Sequence, residues 1–293
     1  MSKVGFIGTG VMGLPMARNL IKGGHTVSAY DLNPDALVTI RQDGGTVAAS
    51  AKEAATGADF VITMLPNGDH VLAATFGPDG ALDGLAEDSL LIDMSTILPT
   101  VTDQIAARLK DHGRRMVDAP VGRTSQHATD GTLLIMAGGE AADIERARPL
   151  FACMGDTIIH CGPAGSGARM KLVNNYLAIA ANVVTAEALT LAERSGLDRT
   201  LAIEVMNGTT AGRGHLATTY PAKVLQGDLT PGFMVDLAHK DMGLALDLGA
   251  DLEVPLALGA IARQIYAIAQ TQGRGRADWT AILPTLRQLA GLR

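Results

Sequence analysis

The chain has 293 residues, is 47% hydrophobic and 18% charged, and carries a formal net charge of −6. That length suits one large domain or two ordinary ones, and the apolar share excludes a disordered chain. An acidic balance without a dense Lys/Arg run excludes a nucleic-acid binder of the usual basic-stripe kind.

The opening, "MSKVGFIG", enters a strand-like run at once and shows no signal-peptide pattern. No uninterrupted apolar run of about 18 residues predicts a membrane span. Cys153 and Cys161 make no disulfide framework, so the expectation is a cytoplasmic protein with reduced cysteines.

The first half then alternates two patterns. Short β-branched runs ("KVGFIG", "TVSAY", "FVITML", "LLIDMS", "RMVDAP", "TLLIMAGG", "DTIIHCG") are separated by helix-like stretches at Met12 to Lys22, Pro34 to Gln42, Val101 to His112 and Ala141 to Met154. This alternation predicts an α/β Rossmann-type domain over residues 1–162, a doubly wound, mostly parallel sheet. After the Gly/Pro-rich "CGPAGSG" the texture changes. Ala168 to Arg194 has neither Gly nor Pro and is rich in Ala and Leu. One helix over about 165–195 is expected, on the order of 40 Å long at ~1.5 Å per residue. Helical segments follow at Leu201 to Asn207, Met234 to Leu248, Leu256 to Thr271 and Thr280 to Ala290, with no convincing strand. Residues 163–293 therefore read as an all-α domain that begins with the long interdomain helix.

"VGFIGTGVMGLPMARNL" places Gly8-x-Gly10-x-x-Gly13 between a strand and a helix. In that context the glycines permit a tight turn, a close approach of backbone to a pyrophosphate and close helix–strand packing, with Val11 and Met12 inside the turn. The helix N-terminus adds free N–H groups and a positive dipole end. Asp31 ends the second strand. A carboxylate there accepts from ribose hydroxyls and repels a 2′-phosphate, which predicts NADH in preference to NADPH. Leu65 and Pro66 follow one further strand, and Ser95 and Thr96 another, so both loops belong at the ligand edge of such a sheet.

Lys171, Asn174, Asn175 and Ala178 share one face of the long helix by their spacing. A lysine and two asparagines among Met170, Leu172, Val173, Leu177 and Ile179 must hydrogen-bond or stay wet. Either Lys171 is an exposed lysine near a helix start, or it is an ammonium able to protonate a developing alkoxide. Lys240 interrupts a later apolar helix and reads equally as a solvated edge. The seven histidines show no ligand spacing, and no metal site is expected.

Taken in order, "GFIGTGVMGLPMARNL", "MLPN", "DMST", "DAPV", "GTLLIMAGG", "GPAGSGARMKLVNN" and "HKDMGLAL" resemble the β-hydroxyacid dehydrogenase family, which includes 3-hydroxyisobutyrate dehydrogenase. The resemblance covers nearly the whole chain. It implies hydride transfer between a nicotinamide and a carbonyl carbon, and makes residues 163–293 the substrate and oligomerisation domain of a homodimer or homotetramer. It implies that Lys171 is the catalytic lysine and general acid, that Asn175 positions substrate, and that Lys240 lines the nicotinamide end. Met12, Leu65, Pro66 and Thr96 would line the cofactor. Imine-reducing relatives lack the lysine, so its presence favours a carbonyl substrate.

The departure lies in "DAPVGRTS", where the family reads "DAPVSGG". Gly122 replaces the serine, and Arg123 and Thr124 replace the glycines. A planar fork of donors enters where a hydroxyl leaves. "MLPNGD", "DMSTI", "PVGRTS", "KLVNNY", "GTTAGRGH", "DLAHKD" and "GRGRADW" resemble a bacterial branch of the family that reduces 3-sulfolactaldehyde to 2,3-dihydroxypropane-1-sulfonate in sulfoquinovose breakdown. That implies a sulfonate site built from Arg123 with Gly122, Thr124, Asn174, the helix turn at Ala178 and nearby Ser95; Ala178 stands where a serine is expected. The alternatives are a carboxylate semialdehyde reductase (succinic, tartronic or methylmalonic) and a non-catalytic dinucleotide-binding regulator. A decarboxylating sugar-acid dehydrogenase would need a longer helical domain.

Overall fold

A computed structural model describes residues 1–292, and two compact units divide it at Tyr176/Leu177. In the first unit, β1 (Lys3–Ile7), α1 (Gly13–Lys22), β2 (Thr26–Tyr30), α2 (Pro34–Gln42), β3 (Thr46–Val47), α3 (Ala51–Ala55), β4 (Phe60–Thr63), α4 (Gly68–Phe76), β5 (Leu90–Asp93), α5 (Pro99–Asp111) and β6 (Arg115–Asp118) alternate as expected. Next come β7 (Val121–Gly122), α6 (Ser125–Asp130), β8 (Leu133–Gly138), α7 (Ala141–Met154), β9 (Gly155–Gly162) and the start of α8 (Ser166–Arg194).

The strands form one sheet in the order β3-β2-β1-β4-β5-β6-β8-β7, with β9 paired to β8. From β3 through β6 all pairs are parallel, the doubly wound arrangement whose chain order reverses between β1 and β4. At the far edge β8 runs antiparallel to β6 and β7 and parallel to β9. Side chains of β1, β4 and β5 alternate between two apolar layers. Phe6, Ile62 and Ile92 pack with Met16, Leu20 and Phe151 in one layer, and Ile7, Val61 and Leu91 pack with Ala54, Val71 and Ile105 in the other. A parallel sheet covered on both faces needs apolar residues at successive positions, which is why these strands read as continuous β-branched runs.

The short elements β3, β7, α3, α4 and α6 carry too little periodicity to stand out in the sequence. The unit division falls inside α8, whereas the sequence placed the boundary after residue 162, within the Gly/Pro-rich stretch Cys161 to Gly167. The physical reason is that the first turns of α8 are tied to the first unit, to Asp118 at the end of β6 by backbone hydrogen bonds and to Asp103 of α5 by the Arg169 ion pair.

The second unit contains the remainder of α8, then α9 (Arg199–Asn207), α10 (Thr210–Arg213), α11 (Thr219–Ala222), α12 (Val235–Asp251), α13 (Ala257–Thr271) and α14 (Ile282–Leu289). Its described residues contain no strand beyond an isolated Met234–Asp278 bridge. Val235, Ala269 and Ala281 form its small buried core, and Trp279 stacks edge-on against Phe233 and His215. By length and composition alone α8 could cross a membrane: its best window has mean hydropathy 1.2 and is 6% buried. The sequence concealed this because Lys171, Asn174 and Asn175 interrupt the apolar run.

Candidate active site

The carboxyl ends of β1, β2 and β4 open on a cavity of about 710 Å³. Its walls include Gly8, Gly10, Val11, Met12, Gly13, Asp31, Leu65 and Pro66, together with Ser50, His70 and Asp79, which the sequence had not singled out.

Each glycine of the motif has its own reason. Gly8 sits at φ +97, and a Cβ there would stand 2.3 Å from the Met64 carbonyl oxygen. A Cβ on Gly13 would stand 1.9 Å from the Gly8 carbonyl oxygen, so α1 enters directly against the turn. A Cβ on Gly10 would meet no protein atom within 4 Å. Packing therefore does not demand glycine at position 10; a cradle open to a ligand does. No side chain caps α1 and no acid occupies its first turn, so its N-terminal N–H groups and dipole are available to an anion. Asp31 accepts from the N–H of Thr9 at 2.6 Å and of Asn33 at 2.8 Å, which fixes its carboxylate at the rim. These residues fit a dinucleotide.

The loop after β4 hangs on a buried network. Ser95 is 2% exposed, and its hydroxyl accepts the Leu65 N–H at 2.9 Å. Asp93 accepts from Thr63 Oγ1 at 2.9 Å and from the Ser95 N–H at 3.1 Å. Burial pushes the Asp93 carboxyl above its ordinary range, against the pull of these donors. Ser95 thus shapes the cofactor wall from beneath, while Thr96 beside it is exposed and outside the cavity lining.

Beyond β6 the chain turns through buried Gly122 to Arg123, a non-glycine residue at φ +76. The Arg123 guanidinium donates to the Thr132 carbonyl, to Asp156 Oδ1 at 2.7 Å and to Thr157 Oγ1 at 3.3 Å. Thr157 and Arg123 hold the Asp156 carboxyl below the usual range. Thr124 Oγ1 and His127 Nδ1 lie 2.9 Å apart, and Thr124 is exposed. On α8, Lys171 is half-buried, and that burial lowers its ammonium pKa. Asn174 donates weakly to Asn175 at 3.4 Å, and Asn174 is exposed. Ala178, on the same helix but in the second unit, is exposed. Lys240 on α12 pairs with its neighbour Asp241 at 2.8 Å.

A model described as the NAD binding domain of 6-phosphogluconate dehydrogenase matches residues 3–162. A second, described as the NAD-binding region of NADP-dependent 3-hydroxyisobutyrate dehydrogenase, matches residues 165–286. The chain belongs to the 3-hydroxyisobutyrate dehydrogenase family. Among family members, 3-sulfolactaldehyde reductase of Escherichia coli is 50% identical, with 100% of this chain and 98% of that protein covered. Mitochondrial 3-hydroxyisobutyrate dehydrogenase of Rattus norvegicus is 37% identical over 97% of this chain and 87% of its own. The Mycobacterium tuberculosis 3-hydroxyisobutyrate dehydrogenase, solved with L-serine, superposes with a TM-score of 0.70 at 36% identity, covering 98% of this chain and 99% of that one. As a member of this family of named dehydrogenases and reductases, the chain is an oxidoreductase that binds a nicotinamide dinucleotide.

Proposed function

We propose that this enzyme uses NADH to reduce a small anionic aldehyde, 3-sulfolactaldehyde, to the primary alcohol 2,3-dihydroxypropane-1-sulfonate. The observation that carries the substrate is Arg123. A side chain at φ +76 costs about 1–2 kcal/mol relative to glycine's freedom there, and such strain persists where the side chain is needed. A guanidinium offers a tetrahedral sulfonate two or more parallel N–H donors. In this reading the sulfonate takes the place of the exposed Asp156 carboxylate, and the guanidinium keeps its bond to the Thr132 carbonyl. Asn174 and Asn175 extend the substrate surface, with Gly122 and Thr124 leaving room beside it. Ser95 supports the site through Leu65.

When bound, the nicotinamide supplies the hydride that reaches the carbonyl carbon. The Lys171 ammonium gives its proton to the carbonyl oxygen as that oxygen becomes an alkoxide, and is left as a neutral amine. Partial burial lowers the lysine's pKa and so makes it a better acid near neutral pH. Asp31 favours NADH because its fixed carboxylate repels a 2′-phosphate. Met12, Leu65 and Pro66 border the cofactor.

Val173, Tyr176 and Ile179 on α8 are 67%, 78% and 65% exposed, a large uncovered apolar surface. A second copy of the chain covers it, giving a cytoplasmic homodimer or homotetramer. Light scattering on a sizing column checks the assembly; a monomer at micromolar concentration refutes it. For the substrate, NADH oxidation is followed with 3-sulfolactaldehyde and with succinic, tartronic and methylmalonic semialdehydes. The highest kcat/KM is expected for the sulfonate. A preference for any carboxylate substrate refutes the sulfonate assignment and installs the semialdehyde reductase in its place.

A further inference from the structure

Asp118 ends β6 and is 1% exposed, yet no ion pair holds it among the described residues. Its two carboxylate oxygens are taken by backbone. Oδ1 accepts the Gly165 N–H at 2.6 Å, and Oδ2 accepts the Ala168 N–H at 2.7 Å. A carboxylate 47 and 50 residues away in sequence therefore caps the first turn of α8.

The seat is built for contact. A Cβ on Gly138 would stand 2.6 Å from Asp118 Oδ1, and one on Gly167 would stand 2.2 Å from the Met136 carbonyl oxygen and 2.9 Å from Asp118 Oδ2. The backbone of the helix start thus lies directly on β6 and β8. Lys171 follows Ala168 by three residues, within one helical turn of the clamp.

We propose that Asp118 is a positioning residue for the reaction, fixing the first turn of α8 and, through it, the place of the Lys171 ammonium against the carboxyl edge of the sheet. This rests on the reading of Lys171 as general acid. A serine within the helix start would cap it without burying a charge. A carboxylate from β6 additionally sets the helix against the strand ends that carry the cofactor loops. A misplacement on the order of 1 Å costs about 100-fold in rate. Burial pushes the Asp118 carboxyl up to about 6, against its backbone donors. The charged and titratable groups coupled to it are Asp93 on β5, Cys161 on β9 and Arg169 on α8. Protonation puts an O–H where the clamp needs an acceptor.

The test is Asp118→Asn in the full enzyme, with the aldehyde of highest kcat/KM. An amide of the same shape keeps one acceptor and turns an NH2 toward the other N–H. The expected result is a kcat lower by about ten- to a hundredfold, with KM and the NADH dissociation constant within about twofold, and loss of the wild-type acid limb near pH 6. A kcat within about twofold of wild type overturns the proposal, as does a parallel loss of NADH binding in a folded variant. If the variant does not fold, wild-type hydrogen exchange of the 163–170 segment decides between pH 5 and 7, corrected for intrinsic rates. Protection and kcat falling together on acidification support it; either one falling while the other holds, or neither falling, overturns it. Lys171→Ala separates the two levels. If that variant stays active, the general-acid reading fails whatever Asp118 does. If it is inactive while Asp118→Asn is not, only the positioning proposal fails.

Discussion

Arg123→Gly should leave the fold intact or slightly firmer while disabling recognition of the anion. At φ +76 an L-residue carries about 1–2 kcal/mol of steric cost that glycine avoids. Glycine's freer unfolded chain returns about 0.4–1 kcal/mol of that, and the ion pair lost with it is exposed and worth little. The melting temperature should stay constant or rise by up to about 4 °C. On the substrate side, losing charge-assisted hydrogen bonds of about 1.5–3 kcal/mol lowers kcat/KM roughly ten- to a hundredfold. The assay is the initial rate of NADH oxidation with 3-sulfolactaldehyde and with glyceraldehyde, a neutral aldehyde of similar size. The sulfonate should lose the full factor and glyceraldehyde less than about twofold. Equal losses on both aldehydes, or a melting temperature lower by several degrees, would refute the reasoning, because Arg123 would then be holding the fold rather than the anion.

The two glycines of the cofactor turn should respond differently to alanine. Gly10→Ala meets no protein atom within 4 Å, so it should fold normally and bind NADH at least about tenfold more weakly; Gly13→Ala, with its methyl 1.9 Å from the Gly8 carbonyl oxygen, should express poorly or melt early. Calorimetry and NADH titration together distinguish them. Asp31→Asn keeps an acceptor for Thr9 but removes the charge, and should cut the NADH-over-NADPH ratio of kcat/KM by about tenfold or more; an unchanged ratio would place selectivity elsewhere. Burial lowers the Lys171 pKa; with its ammonium as the proposed acid, reduction should run below that pKa and fail as pH rises through it, at a lower pH than an exposed lysine would give. Lys171→Ala should lower kcat by at least about 100-fold and abolish that alkaline limb.

The features legible in the sequence were those whose cause is local. The glycine turn, Asp31 and α7 (Ala141–Met154) each follow from residues within a few positions of one another, and all stand in the structure where the pattern put them. Arg123 was legible as a cation in a small-residue loop, but its partner Asp156 lies 33 residues on, across the antiparallel edge of the sheet, where no spacing rule reaches. The same holds for Asp93, which read only as the end of an apolar run, and for Asp118, which read as part of a motif.

These carboxylates obey one rule that only the assembled sheet reveals. Asp31 directly follows β2, while Asp93 and Asp118 end β5 and β6. Asp31 and Asp118 spend their oxygens chiefly on backbone N–H groups of loops, Thr9 and Asn33 or Gly165 and Ala168, Asp93 divides its own between the Thr63 hydroxyl and the Ser95 N–H, and none forms an ion pair among the described residues. An arginine or lysine in any of these places would present donors to donors. The acids at the strand ends therefore order the loops without forming an ion pair with Lys171, as the proposed proton donor requires.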